Sequence, residues 1–195
     1  MADNNQAFNY SLEARENFTH LATPIIEKFG ASGLSYCKTT FNDKRLYLHT
    51  NESWIKLYCE KKFEDAVSHA DHYLPQSNMH YSIESAFKPD IIRDANLFMN
   101  LNHGFNIYRR GEDYYEFFCL FTNNDNQKFP NLCLNNLDIL NQYIDDFRKK
   151  ASFILSHQDT KRLISSEKWI FSDLQRQIKP MSSNVDSFLK KITTH

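Results

Sequence analysis

Residues 34–58 read LSYCKTTFNDKRLYLHTNESWIKLY, and the fold turns on this stretch. Leu34-Ser35-Tyr36-Cys37-Lys38-Thr39 alternates with the period of two expected of a strand. Asn42-Asp43 supplies turn residues, and Leu46-Tyr47-Leu48-His49 returns as a second strand. Asn51 then stands where a helix N-cap is wanted. A helix from about Glu52 to Phe63 turns Trp54, Tyr58 and Leu57 inward.

Toward the N-terminus, Phe18, Leu21, Ile25 and Phe29 recur at helical spacing between Ser11 and Gly30, and Gly30 is placed to cap the C-terminal end. Residues 1–10 read as a flexible lead. Toward the C-terminus, residues 64–78 are polar and end in the turn Pro75-Gln76-Ser77-Asn78, and a short strand is expected over Met79–Ile83. Pro89 introduces a helix carrying Ile91, Ile92, Ala95, Phe98 and Met99. Phe105–Tyr108 and Tyr115–Phe121 are two strands joined through Arg109-Arg110-Gly111-Glu112. The second is apolar on both faces and so belongs in the middle of a sheet. Leu132 to about Leu163 reads as one long helix, and residues 164–195 as a tail or linker. The order predicts one α+β domain over residues 11–163, an antiparallel sheet flanked by helices in the manner of PAS/GAF-like sensor domains.

Composition narrows the function. A chain of 195 residues, 41% hydrophobic and 14% aromatic, has material for a single core. Its 23 basic and 24 acidic residues leave a net charge of -1, without the basic bias of a nucleic-acid surface. No apolar run approaches the roughly 18 residues of a membrane span. The N-terminal residues are polar and unlike a signal peptide, so a cytoplasmic location is expected. Cys37, Cys59, Cys119 and Cys133 are widely separated, which fits free thiols in a reducing compartment. Four glycines, none clustered, cannot build a phosphate-cradling loop.

The middle of the chain resembles the signal-binding domain of LuxR-type (quorum-sensing) transcription regulators. The resemblance is carried by Trp54, Tyr58, Phe63 and Asp65, then by His103-Gly104 opening a strand, the turn Arg110-Gly111-Glu112, and the apolar run Tyr115–Phe121. It covers roughly residues 15–160. It implies a domain without the helix-turn-helix module, acting by ligand binding rather than catalysis. A small, largely apolar signal molecule would be its partner. Homodimerisation, or pairing with a related regulator, is implied through the long helix. No cofactor, membrane contact or direct nucleic-acid contact is expected.

Trp54 and Tyr58, four residues apart, share a helix face and offer flat apolar bodies with one donor each. The same spacing also describes ordinary core aromatics. Asp65 could accept a hydrogen bond from a ligand amide, or be a solvated carboxylate beside Glu64. The ligand reading predicts a cavity lined by Trp54, Tyr58, Tyr36, Phe117 and Cys119, with Phe63 and Asp65 added by the resemblance. His69, Asp71, His72 and His80 are ligand types suited to zinc, but three of them fall within four residues of one polar loop, so no metal is assigned. Two alternatives remain: a protein-interaction domain working without ligand, and a small hydrolase using one of the cysteines with a histidine. No sequence context singles out such a pair.

Overall fold

The computed structural model describes residues 4–42, 44–60, 79–83, 93, 97, 100–123 and 125–165. Helix α1 (Asn4–Phe29) leads into the hairpin β1 (Gly33–Thr40) and β2 (Lys44–His49), followed by α2 (Glu52–Glu60). Strand β3 (Met79–Ser82) precedes the hairpin β4 (Leu101–Arg110) and β5 (Tyr114–Asn123). Two helices follow, α3 (Phe129–Leu134) and α4 (Leu137–Lys150), and a two-residue strand β6 (Ile164–Ser165) ends the described chain. The strands form one antiparallel sheet in the order β3-β4-β5-β1-β2-β6. This is the α+β, PAS/GAF-like sheet with flanking helices that the sequence predicts, and β5 is interior as its two apolar faces require. No described helix is long and apolar enough to cross a membrane.

Two local expectations hold at the level of single bonds. Gly30 adopts φ +62°, the left-handed conformation natural to glycine. The amides of Gly30 and Ala31 reach back to the carbonyls of Glu27 and Ile26, at 3.3 and 2.9 Å, and close the helix end as a Schellman motif. At the start of α2, Asn51 Oδ1 accepts the backbone N–H of Trp54 at 3.0 Å, the predicted N-cap.

Other expectations change. Helix is continuous from Asn4, and Ala7 and Phe8 are buried, so residues 4–10 are part of the packed domain rather than a flexible lead. The long helix predicted from Leu132 is two helices separated at Asn135-Asn136, and its described continuation after Lys150 is a set of turns and a short 3-10 segment. Ile164–Ser165, expected to open the tail, pairs with Arg45 and Lys44 at the β2 edge. The helix expected after Pro89 and residues 166–195 lie outside the described residues, apart from isolated positions.

Strands β1, β2, β4 and β5 send alternate side chains to two separate clusters. Leu34, Tyr36, Leu46, Leu48, Phe105, Ile107, Phe118 and Leu120 meet α1, α3 and α4 on one face. Cys37, Tyr47, Tyr108, Phe117, Cys119 and Phe121 meet Trp54 and Tyr58 of α2 on the other, together with Ala7 and Phe8 from the start of α1. α1 is therefore common to both.

Candidate functional site

The α2 face gathers most of the expected lining. Trp54, Tyr58, Phe117 and Cys119 are all buried in the second cluster. Tyr36 is not among them. Period-two alternation sends Tyr36 to the α1/α4 face, where its ring packs on Phe118 with centroids 5.0 Å apart. Its neighbour in sequence, Cys37, takes the place on the α2 face. Phe63 and Asp65 lie outside the described residues, as do His69, Asp71 and His72 of the histidine-rich loop.

Aromatic rings close one end of the α2 face. Tyr47 and Tyr58 stack at 4.4 Å and 13°, and Phe8 leans on Tyr58 at 6.0 Å. The Trp54 indole N–H donates to the Tyr47 hydroxyl at 2.6 Å. Burial holds the Tyr47 phenol well above its ordinary pKa, so it stays neutral and able to accept that bond. The one donor of the Trp54 side chain is thus engaged within the protein.

His49 is the residue that sequence reading missed. It ends β2 two positions after Tyr47, so the same alternation puts it on this face, which is the signal that could have found it. Its ring stacks on Phe121 at 4.9 Å and 11° and lies 5.8 Å from Trp54. Nδ1 accepts the Asn51 backbone N–H at 2.9 Å. Burial pushes the imidazole pKa down to about 3. The unfolded chain, with a histidine pKa near 6.5, binds the proton more readily. Stability from this group is therefore complete above about pH 6.5 and drains away as pH falls toward 3. Between pH 6.5 and 4 the parent should lose about 3 kcal/mol more unfolding free energy than His49→Phe, which keeps the stacking but does not titrate. Urea unfolding at the two pH values checks this; equal losses would show that His49 protonates freely in the folded state.

Cys37 and Cys119 on this face are held in the thiol form. Burial pushes Cys119 up to about 12 and also raises Cys37. Both stay protonated at neutral pH, whereas attack on a substrate requires thiolate.

The opposite face carries a different polar feature. Lys38 and Glu116, both largely buried, line a cleft of about 480 Å³ together with Tyr114, Arg148, Leu155 and His157. Glu116 Oε1 accepts the Tyr36 hydroxyl at 2.8 Å and faces Lys38 Nζ at 3.7 Å. Arg148 Nε is 2.8 Å from Oε2, but its N–H is not aligned on that oxygen, so the contact is an ion pair rather than a hydrogen bond. Lys38 Nζ also donates to the Leu155 carbonyl at 3.1 Å and lies over the Tyr114 ring. Desolvation lowers the Lys38 pKa, and Glu116 opposes that shift. The satisfied bonds around Lys38 mark this as a structural ion-pair network at the floor of a surface cleft.

No protein-family model matches the chain, and no match is found among curated proteins. Among solved structures the chain is similar to SdiA in complex with octanoyl-rac-glycerol, with 11% sequence identity and a TM-score of 0.51. The match covers 83% of this chain and 67% of that one. At that identity the likeness is one of fold alone.

Proposed function

We propose that this LuxR-like fold serves as the signal-sensing domain of a transcription regulator of that type. In this reading it binds a small, largely apolar ligand between the sheet and α2 and responds through dimerisation. One observation carries the reading: Trp54, Tyr58, Phe117 and Cys119 converge with Tyr108 and Phe121 on the sheet face beneath α2. An aromatic surface with a few polar groups is the usual lining of a site for an apolar ligand. SdiA, to which the chain is similar in fold, is solved in complex with octanoyl-rac-glycerol, which supports a ligand of small, largely apolar kind. Tyr47 and Tyr58 fill the α2 end, so the ligand's place is beside Phe117, Cys119 and Tyr108. Phe63 and Asp65 remain part of the proposed lining through the resemblance.

The test is thermal unfolding across acyl-lactones, acylglycerols and related amphiphiles, in the parent and in Phe117→Ala. A ligand at one hundred times its Kd stabilises by about 2.7 kcal/mol, which shifts the midpoint of a domain this size by several degrees. The expected result is a midpoint rise in the parent that is at least halved in Phe117→Ala at the same ligand concentration. Equal rises in both proteins would place binding elsewhere.

Leu132 and Leu134 on α3 are 44% and 49% exposed, and Phe153 is 59% exposed. These side chains favour a second reading, a protein-interaction domain acting without ligand. It predicts a midpoint that depends on protein concentration and on no small molecule.

A further inference from the structure

The cleft on the α1/α4 face has a floor whose charges are matched and a wall whose donors are not. The charged side chains lining it are the cations Lys38, Arg148 and Lys149 and the carboxylates Glu116 and Asp145. Both carboxylates already face partners. Glu116 Oε1 accepts the Tyr36 hydroxyl at 2.8 Å, and Oε2 pairs with Arg148. Asp145 Oδ1 accepts from Arg109 Nη1 at 2.6 Å. Lys38 is held by the Leu155 carbonyl and the Glu116 charge.

The wall differs. Arg148 Nε lies 2.8 Å from Glu116 Oε2 but makes no aligned hydrogen bond. Its Nη2 reaches only the Tyr114 hydroxyl, at 3.5 Å, and its Nη1 stands 3.8 Å from Asp145, beyond hydrogen-bond reach. A guanidinium carries five N–H donors, so this one, with its side chain 31% exposed, keeps most of its bonding capacity. Lys149 is exposed and makes no hydrogen bond or ion pair among the described residues. Ser152 and Gln158 line the same wall and can donate as well. α4 ends at Lys150, and the negative end of its dipole, about half a charge, opposes an anion here. The basic last turn Arg148-Lys149-Lys150 outweighs it. Tyr114 and Leu155 add apolar surface, and a volume of about 480 Å³ is that of a small-molecule site rather than of a single oxyanion.

We infer that this cleft binds a small phosphomonoester. Arg148 Nη1 and Nη2 and the Lys149 ammonium hold the phosphate oxygens, and the organic body lies against Tyr114 and Leu155. A phosphomonoester brings three terminal oxygens and a charge of about −1.5 to −2 near neutral pH, enough to engage a guanidinium fork and an ammonium together. A carboxylate, with two oxygens and one charge, leaves one of those cations unmatched. The site lies on the opposite side of the sheet from the α2 face, and it stands or falls independently of the ligand proposed there.

The experiment titrates the full chain, labelled with nitrogen-15, at pH 7.5 with phenyl phosphate, benzoate and inorganic phosphate. Kd is read from the amide shifts of residues 149–158, in the parent and in Lys149→Gln and Arg148→Gln. Phenyl phosphate should bind with a Kd of about 1 mM or tighter. It should bind at least ten-fold more tightly than benzoate and at least three-fold more tightly than inorganic phosphate. Lys149→Gln should weaken it about three- to ten-fold, and Arg148→Gln ten-fold or more, as befits loss of a charged donor. Benzoate binding as tightly as phenyl phosphate, variants binding as the parent does, or no saturable shift in residues 149–158 would overturn the site. Inorganic phosphate matching phenyl phosphate would overturn the place given to the organic body. Should Arg148→Gln not fold, Lys149→Gln, which alters an exposed side chain, decides alone.

Discussion

Glu116→Leu is expected to destabilise the folded chain by about 3–5 kcal/mol, the usual range when one member of a buried ion pair is removed. Glu116 is 2% exposed and faces Lys38, whose side chain is 9% exposed, across 3.7 Å. Without the carboxylate, Lys38 is left in a desolvated place without its partner charge, and the Tyr36 hydroxyl loses its acceptor. Arg148, at 31% exposure, can turn to solvent and contributes less to the loss. Adding Lys38→Met in the Glu116→Leu background should recover at least half of the loss, because an apolar pair of similar volume avoids the desolvation penalty. Urea unfolding of the two single variants and the double variant closes the cycle. A single-variant loss under 1 kcal/mol would show that water reaches the pair and screens it.

Phe118→Ala should cost a comparable amount, about 3–5 kcal/mol, through lost burial and the cavity left behind. Phe118 is fully buried at the centre of β5, between Tyr36 at 5.0 Å and Phe147 of α4 at 6.3 Å. Phe147 in turn packs edge-on against Phe18 of α1 at 5.6 Å, so the deleted ring belongs to a chain of rings joining sheet, α4 and α1. Strands pinned by ladders on both sides cannot collapse into the gap, which places the loss toward the upper end of that range. Phe153→Ala, removing a ring that is 59% exposed, should change stability by no more than about 0.5 kcal/mol. Chemical unfolding of the two variants side by side provides the measurement, and equal losses would contradict the assigned core.

Much of the fold was legible because its signals are local. The 34–49 hairpin, the Asn51 cap, the Gly30 stop and the central position of Tyr115–Phe121 each follow from residues within a few positions of one another. Face assignment was harder. Alternation separates Tyr36 from Cys37 but does not say which set meets α2, and only the pairing of Cys37 with Phe117 and Tyr47 settles it. Large apolar residues drew attention to Phe18, Ile25 and Phe29. The buried stripe of α1 runs Ala7, Phe8, Ser11, Ala14, Phe18, Ala22, Ile25 and Phe29, and its small members carry little hydropathy signal. The break at Asn135-Asn136 falls between Leu134 and Leu137, whose spacing of three continues the helical period across it. His49 was hidden by its polarity, since a histidine at a strand end usually reads as surface.

The stripe on α1 has a consequence for how the molecule comes apart. Phe18, Ala22, Ile25 and Phe29 belong to the cluster on one side of the sheet, and Ala7 and Phe8 to the cluster on the other. Ser11 ties the helix to the strand between them by donating its hydroxyl to the Tyr47 carbonyl at 2.6 Å. Detaching α1 therefore strips cover from both clusters at once, while every strand of the central hairpin is embedded in both. The two layers are therefore expected to melt together as one cooperative unit; amide exchange in β1 and β5 at the global unfolding free energy is the result to look for, and a lower opening energy in one strand would contradict it.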